Sequence, residues 1–564
     1  MLPDRRHYVL LPLTALLAVL PLILRGCSCG HDFDFHIISW FEAARQFSHG
    51  IIHPQWAFTP AWNAGEPRFV FYPPLSWTIG ALLGLIMPWA WTPIVYTWLT
   101  LTAAGFALHY AVRSFTTPNA ALIAAAAYIV NPYTLYTAYE RTAYAELLAA
   151  AWLPLLLYGA MRGRVTIPRI AIPIALLWLT NAPAAVMGCY VLAIIALLRL
   201  ALSFRYAEDL PERLRFIATT CAGTLLGLGL ASFYIVPAAY ERRFVQIAFA
   251  ILPGMNPQDN FLFRHTTDPD HDTVLRTASW LALAFLALTA LILLYVQLRS
   301  VRLDTTPAPP RRTDDAVTPH LPLLLVALTL LIAFMLTPAS ALLWHYLPQL
   351  RFLQFPWRLL AVLAVVFAFG VALIFSRIVV RPGLTALLLA AVFIPPAYTA
   401  FQQHCYPEDT LPERLSVFLS ANPGTDPTDE YTPTTADNDA LAQANPAYWL
   451  TNDASSAPAR TLSPASAPHQ LSLTLADPQV LVLNLRDYPA WAITRNGSVI
   501  TTRMHRDDGL IAFALPAGTS HIEIAWRPLT DQRIGYLLSA LSLLLLTGIL
   551  ALRARSSADL PPLR

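Results

Sequence analysis

The chain has 564 residues, 56% of them hydrophobic and only 13% charged, with a formal net charge of +3. A soluble enzyme carries roughly a quarter of its residues as charges, so this composition excludes one. Apolar runs of about 20 residues, the length that crosses a bilayer, recur along most of the sequence, and we read a polytopic membrane protein.

The first such run, residues 8–25, follows Arg5 and Arg6, so the positive-inside rule puts the N-terminus in the cytoplasm. We read it as a retained span rather than a cleaved signal. Basic clusters recur at Arg113, at Arg162 to Arg169, from Arg199 to Arg215, from Arg299 to Arg312, at Arg377 and Arg381, and at Arg553 and Arg555. Placing each inside gives spans near 92–112, 117–131, 143–160, 167–182, 184–202, 214–236, 277–297, 320–340, 357–375, 382–398 and 533–553. With the first, that is about twelve, with both termini cytoplasmic. The run 73–87 is too short to cross, opens on Pro73-Pro74 and ends at Met87-Pro88, so it dips into the outer leaflet. The first external loop is then 26–91.

That loop opens with "CSCGHDFDFHIISW" (Cys27–Trp40). A helix starting near Asp32 puts Asp32, His36 and Ser39 on one face and Phe33, Ile37, Trp40, Phe41 and Ala44 on the other. Such a helix would lie on the membrane surface with its polar stripe towards the loop. Asp32 also suits a helix cap, and in a loop Asp32 and Asp34 would share a cation. The spacing of Cys27 and Cys29 makes a poor chelate, and Cys189 and Cys221 read as packing residues. The same loop carries Glu66, Arg68 and Tyr72 in "GEPRFVFYPPLSW". The next external edge carries Glu140, Arg141 and Glu146 in "AYERTAYAE", where Arg141 would pair with Glu146. A later one carries Arg351, Gln354, Trp357 and Arg358 in "LPQLRFLQFPWRLL", with Trp357 read as part of an aromatic belt. Arg242 and Arg243 read as interfacial anchors or ion-pair partners.

Residues 305–318 read as a proline-rich cytoplasmic linker. Residues 400–530 alternate apolar and polar positions, and Asn496-Gly497 separates two strand-like runs, so a small extracytoplasmic β-sandwich is expected before the last span. The domains are then 1–236 as the core module, 237–399 as additional helices and loops, 400–530 as the β-rich domain and 531–564 as the final helix with a cytoplasmic tail.

Carboxylates and arginines at lipid-headgroup depth fit attack on an anionic, lipid-linked substrate: an aspartate takes a proton from an acceptor hydroxyl while guanidinium groups neutralise a departing phosphate. The segment "GHDFDFH" after the first span resembles the acidic signature of GT-C glycosyltransferases. "PRFVFYPPLSW", "YERTAYAE", "FYIVPAAYE" (Phe233–Glu241), "LQFPWRLL" and the ending "RDYPAWAITRNGSVI" resemble bacterial YfhO-type proteins and the integral membrane family labelled "6-pyruvoyl-tetrahydropterin synthase-related". The resemblance implies a helical GT-C-like module and an enzyme of the bacterial cytoplasmic (inner) membrane. Its donor would be a polyprenyl-phosphate sugar, and its acceptor a lipid or an envelope glycan. Membrane lipids are partners, and no nucleic acid is expected. It implies Asp32 as catalytic base, with Asp34 as the alternative or as partner for Mg²⁺ or Mn²⁺. His36, Glu66, Arg68, Tyr72, Arg141, Glu146 and Arg358 would bind substrate. A transporter and a non-catalytic lipid-binding scaffold are the alternatives.

Overall fold

The computed structural model describes residues 5–205, 209–301, 320–420, 424–458 and 463–558; the expected linker 305–318 lies outside them. The fold is mostly helical, with a small β region near its C-terminal end. Among the described residues, seven helical stretches are long and apolar enough to cross a membrane: His7–Arg25, Tyr144–Met161, Ala182–Arg205, Pro269–Arg299, Pro356–Phe375, Pro382–Phe401 and Thr530–Arg555. Two bent pairs, Leu210–Leu230 with Ser232–Phe244 and Leu321–Met335 with Pro338–Tyr346, raise this to nine if each is one span. These stand against the twelve expected. Pro118–Ile129 and Ile167–Thr180 have only 12 and 14 residues, about 18 and 21 Å of helix against a hydrocarbon core of about 30 Å. The helix Pro74–Ile86, 13 residues between prolines, is short as its sequence requires.

The helical core gathers His7–Arg25, Thr92–Val112, Pro118–Ile129 and Leu360–Phe375 in one apolar cluster. Six of the ten buried residues of Pro118–Ile129 are alanine, and the small side chains let neighbouring backbones approach closely. Thr117 caps it by accepting from the amide of Ala120, and Asn131 caps the next helix, Pro132–Tyr139, by accepting from Thr134. Each cap satisfies an amide that helix geometry leaves unpaired.

The β region has two antiparallel sheets. β1 (Tyr448–Thr451), β3 (Gln479–Arg486) and β6 (Leu510–Leu515) form one in the order β1-β3-β6. β2 (Gln470–Leu475), β7 (Gly518–Trp526), β4 (Trp491–Arg495) and β5 (Ser498–Val499) form the other in the order β2-β7-β4-β5. Leu481, Leu483, Ile493, Phe513, Ile522 and Ile524 from both sheets share one buried cluster. The turn between β4 and β5 is Asn496-Gly497, with φ of 48° and 80°. That is the left-handed pair a tight hairpin demands and the reason asparagine and glycine stand there.

A disulfide joins the start of the first loop to the segment after the helix Pro382–Phe401: Cys29 is bonded to Cys405, 376 positions away. Cys29 is therefore no metal ligand, and Cys27, Cys189 and Cys221 are free.

Candidate active site

The helix Phe33–Ser48 starts one residue after Asp32 and is buried on nearly every side. This corrects the expected surface helix with a wet polar stripe. Helix Pro74–Ile86 packs on one flank and Leu411–Leu419 on another; the polar face is covered too, because Arg68 reaches across to Ser39 and Thr428. Asp32 makes no side-chain cap, so its carboxylate is left for other partners.

Backbone pairing sets its position. The amide of Asp32 donates to the carbonyl of Arg141 at 3.0 Å, and that of Cys29 to Gln403 at 3.2 Å. Gly30 fits between because it lacks a side chain: a Cβ there would stand 2.1 Å from the carbonyl oxygen of Glu140. The Asp32 side chain, 38% exposed, lies 3.5 Å from the buried guanidinium of Arg141. Arg141 also donates to Glu146 at 2.6 Å, as Tyr133 does at 2.5 Å. The Nε of Arg358 lies 3.6 Å from the same Glu146 carboxylate, while its Nη1 donates to the carbonyl of Leu353. Two carboxylates and two guanidiniums thus form one charge-balanced row in which Asp32 alone is substantially open to solvent. Burial opposes the charge on Arg141, but Glu146 and Asp32 outweigh it and hold the guanidinium above its ordinary range.

His36 lies one turn below Asp32, 2% exposed, ringed by Tyr72 and Tyr144 at 5.9 and 5.3 Å. Burial pushes its pKa down to about 4, so the ring is neutral at pH 7, and its Nδ1 has no hydrogen-bond partner. Tyr72 packs edge-on against Phe35 at 4.8 Å. Its phenol is held well above its usual range by burial and then by Asp32.

The remaining expected residues fall into two other groups. Glu66 binds Arg68 at 2.8 Å and accepts from the amide of Thr428 at 2.9 Å; both are buried and tie the first loop to the segment before the β region. Asp34 faces Arg414 at 2.8 Å, which also holds Asp409; burial raises the Asp34 pKa, against the pull of Arg414. Asp32 and Asp34 thus answer to different arginines, and this arrangement does not fit a cation shared between them. Among the described residues, no group of three or more His, Cys, Asp or Glu side chains is placed to hold a metal ion. Trp357, expected in an aromatic belt, is instead buried and stacked on Phe355 at 4.6 Å. Tyr133 and Arg414 escaped the sequence reading: each lies far along the chain from its partner or inside an ordinary amphipathic stretch, and no motif marks it.

No family model matches the chain and no curated protein is similar to it. Among solved structures it is similar to the cryo-EM structure of arabinofuranosyltransferase AftD from Mycobacteria over 94% of its length, at 16% identity and a TM-score of 0.46. A mutant of that enzyme matches over the same share at 15% and 0.45. The chain spans 40% and 42% of those two chains.

Proposed function

We propose that the chain is a membrane glycosyltransferase that moves a sugar from a polyprenyl-phosphate donor to a lipid or envelope-glycan acceptor on the extracytoplasmic face. The observation that carries this reading is the pairing of a half-open carboxylate, Asp32, with a buried guanidinium row at the end of a membrane helix. A carboxylate within reach of water can take the proton of an incoming hydroxyl. That oxygen forms a bond to the anomeric carbon as the bond from carbon to phosphate oxygen breaks, and the electron pair leaves on the phosphate. Arg141 and Arg358 supply preorganised positive charge for the departing group. Attack opposite the leaving group inverts the anomeric centre. Glu146 and Tyr133 hold Arg141 in place, and His36 and Tyr72 line the approach to Asp32. Glu66, Arg68, Asp34 and Arg414 brace the loop. The Cys29–Cys405 bond supports an oxidising compartment for this face, with the termini and the arginine clusters in the cytoplasm of a bacterial inner membrane.

The test is turnover of a panel of radiolabelled polyprenyl-phosphate sugars by protein in lipid nanodiscs. Loss of label from one donor supports the reading. A protein that binds donors and turns over none of them is a carrier or a scaffold.

A further inference from the structure

Where the helix Ser232–Glu241 ends, three parts of the chain meet on the buried carboxyl of Glu241. Tyr488, between β3 and β4, donates its phenol to Oε2 at 2.5 Å. Gln532, in the first turn of the last helix, donates its amide to Oε1 at 2.7 Å. Asp531 sets its own carboxyl against the same group; it is 6% exposed, and its Oδ2 has no donor. The charged groups around the pair are turned elsewhere. Arg242, Arg243, Arg527 and Arg533 flank it in sequence and stand in solvent, Arg243 over the rings of Tyr240 and Phe244. Arg68, on the short helix packed against Ser232–Glu241, is spent on Glu66. Leu210–Leu230 carries no charge from Phe216 on. His53 reaches the last helix farther along, its Nδ1 2.7 Å from the Tyr536 hydroxyl; burial holds its pKa down to about 4, so it is neutral at pH 7. Two carboxylates in contact, out of water and unanswered by a cation, repel each other. One proton between them supplies the missing donor and removes one charge.

We propose that Glu241 and Asp531 share one proton, and that this proton fastens the last helix and the β region to Ser232–Glu241 and releases them as the outer face turns alkaline. When the joint opens, both carboxyls meet water and the shared proton leaves to solvent. The closed joint therefore binds one proton more than the open one. The fastening is whole in acid, and above the ordinary carboxylate range the open population grows about tenfold per pH unit. The joint leads to the candidate site. The amide of Phe233 donates to Ser539 of the last helix at 2.9 Å, and the next residue, Tyr234, donates its phenol to the carbonyl of Phe71 at 2.9 Å. Phe71 precedes Tyr72, so an opened joint loosens the wall beside Asp32. That consequence for catalysis rests on the transferase reading; the joint itself does not.

Amide hydrogen exchange of the full chain in nanodiscs, followed by mass spectrometry from about pH 5 to 7, reads the joint directly. In wild type, peptides around Tyr488 and at the start of the last helix should gain exchange by about tenfold per pH unit beyond the intrinsic rise. Asp531→Asn gives Glu241 a permanent N–H donor and should remove this excess. Infrared spectra give a second reading that needs no opening: the carbonyl band of a protonated carboxylic acid, present near neutral pH in wild type and reduced in Glu241→Gln and Asp531→Asn alike. No excess slope in wild type, the same slope in Asp531→Asn, or an acid band unchanged in both variants overturns the proposal. Exchange that follows the proposal in a protein that turns over no donor leaves the joint standing and overturns the transferase reading.

Discussion

Glu146 is the hinge of the charged row, and replacing it with glutamine removes a charge while keeping the shape. Its carboxylate is buried against Arg141 at 2.6 Å and Arg358 at 3.6 Å. Without it two buried guanidiniums share one carboxylate, Asp32, at 3.5 Å from Arg141 and open to water. Uncompensated buried charge of this kind costs about 3–5 kcal/mol. The loss should be coupled: Glu146→Gln with Arg358→Gln restores the balance of one guanidinium to one carboxylate, and should be less harmful than the sum of the single changes by about 1–3 kcal/mol. Reversible unfolding in mixed micelles of wild type, both single variants and the double variant measures all four corners. A single variant within about 0.5 kcal/mol of wild type, or strictly additive losses, would refute the claim that the row is an interacting unit.

Three further outcomes follow from other parts of the structure. Gly30→Ala drives a Cβ into the carbonyl of Glu140 and should separate Asp32 from Arg141; near-normal donor turnover by this variant would show that the backbone pairing does not matter. Because His36 is held at about 4 against its usual 6.5, the unfolded chain takes up its proton first. The stability it confers is whole above about pH 6.5 and lost as pH falls to about 4, about 3 kcal/mol in all. The measurement is unfolding against pH for wild type and His36→Asn, and identical acid limbs would contradict it. Mass-tagging of thiols should count three cysteines before reduction and five after, since only Cys29 and Cys405 are joined; five before reduction would remove the bond, and with it about 2–4 kcal/mol of expected stabilisation.

Much of this was legible in the sequence because the governing physics is local. The start of the helix after Asp32, the Asn496-Gly497 turn and the alternating strands of the β region follow from periodicity and turn chemistry within a few residues. The pairing of Arg141 with Glu146 was within reach for the same reason. What escaped depends on residues far apart in the chain. The cover over Ser39 comes from Arg68, itself bonded to Thr428, and that over His36 from Tyr72 and Tyr144, which turned an expected wet stripe into a buried one. Cys405 finds Cys29 across 376 positions, and Asp34 meets Arg414 on a helix beyond the last core helices. Hydropathy registers burial inside protein and burial in lipid alike, so it could not tell that Pro118–Ile129, read as part of a span near 117–131, forms a helix of 12 residues packed into the apolar cluster of the helical core.

The central claim is that Asp32, and not Asp34, takes the proton. Single-turnover rates on whichever donor the wild type consumes, for wild type, Asp32→Asn and Asp34→Asn in EDTA, test it most directly. The account predicts a loss of at least about a hundredfold for Asp32→Asn, the size of a missing general base, and a much smaller one for Asp34→Asn, whose carboxylate is committed to Arg414. Equal rates for wild type and Asp32→Asn, or the larger loss at Asp34, would contradict it.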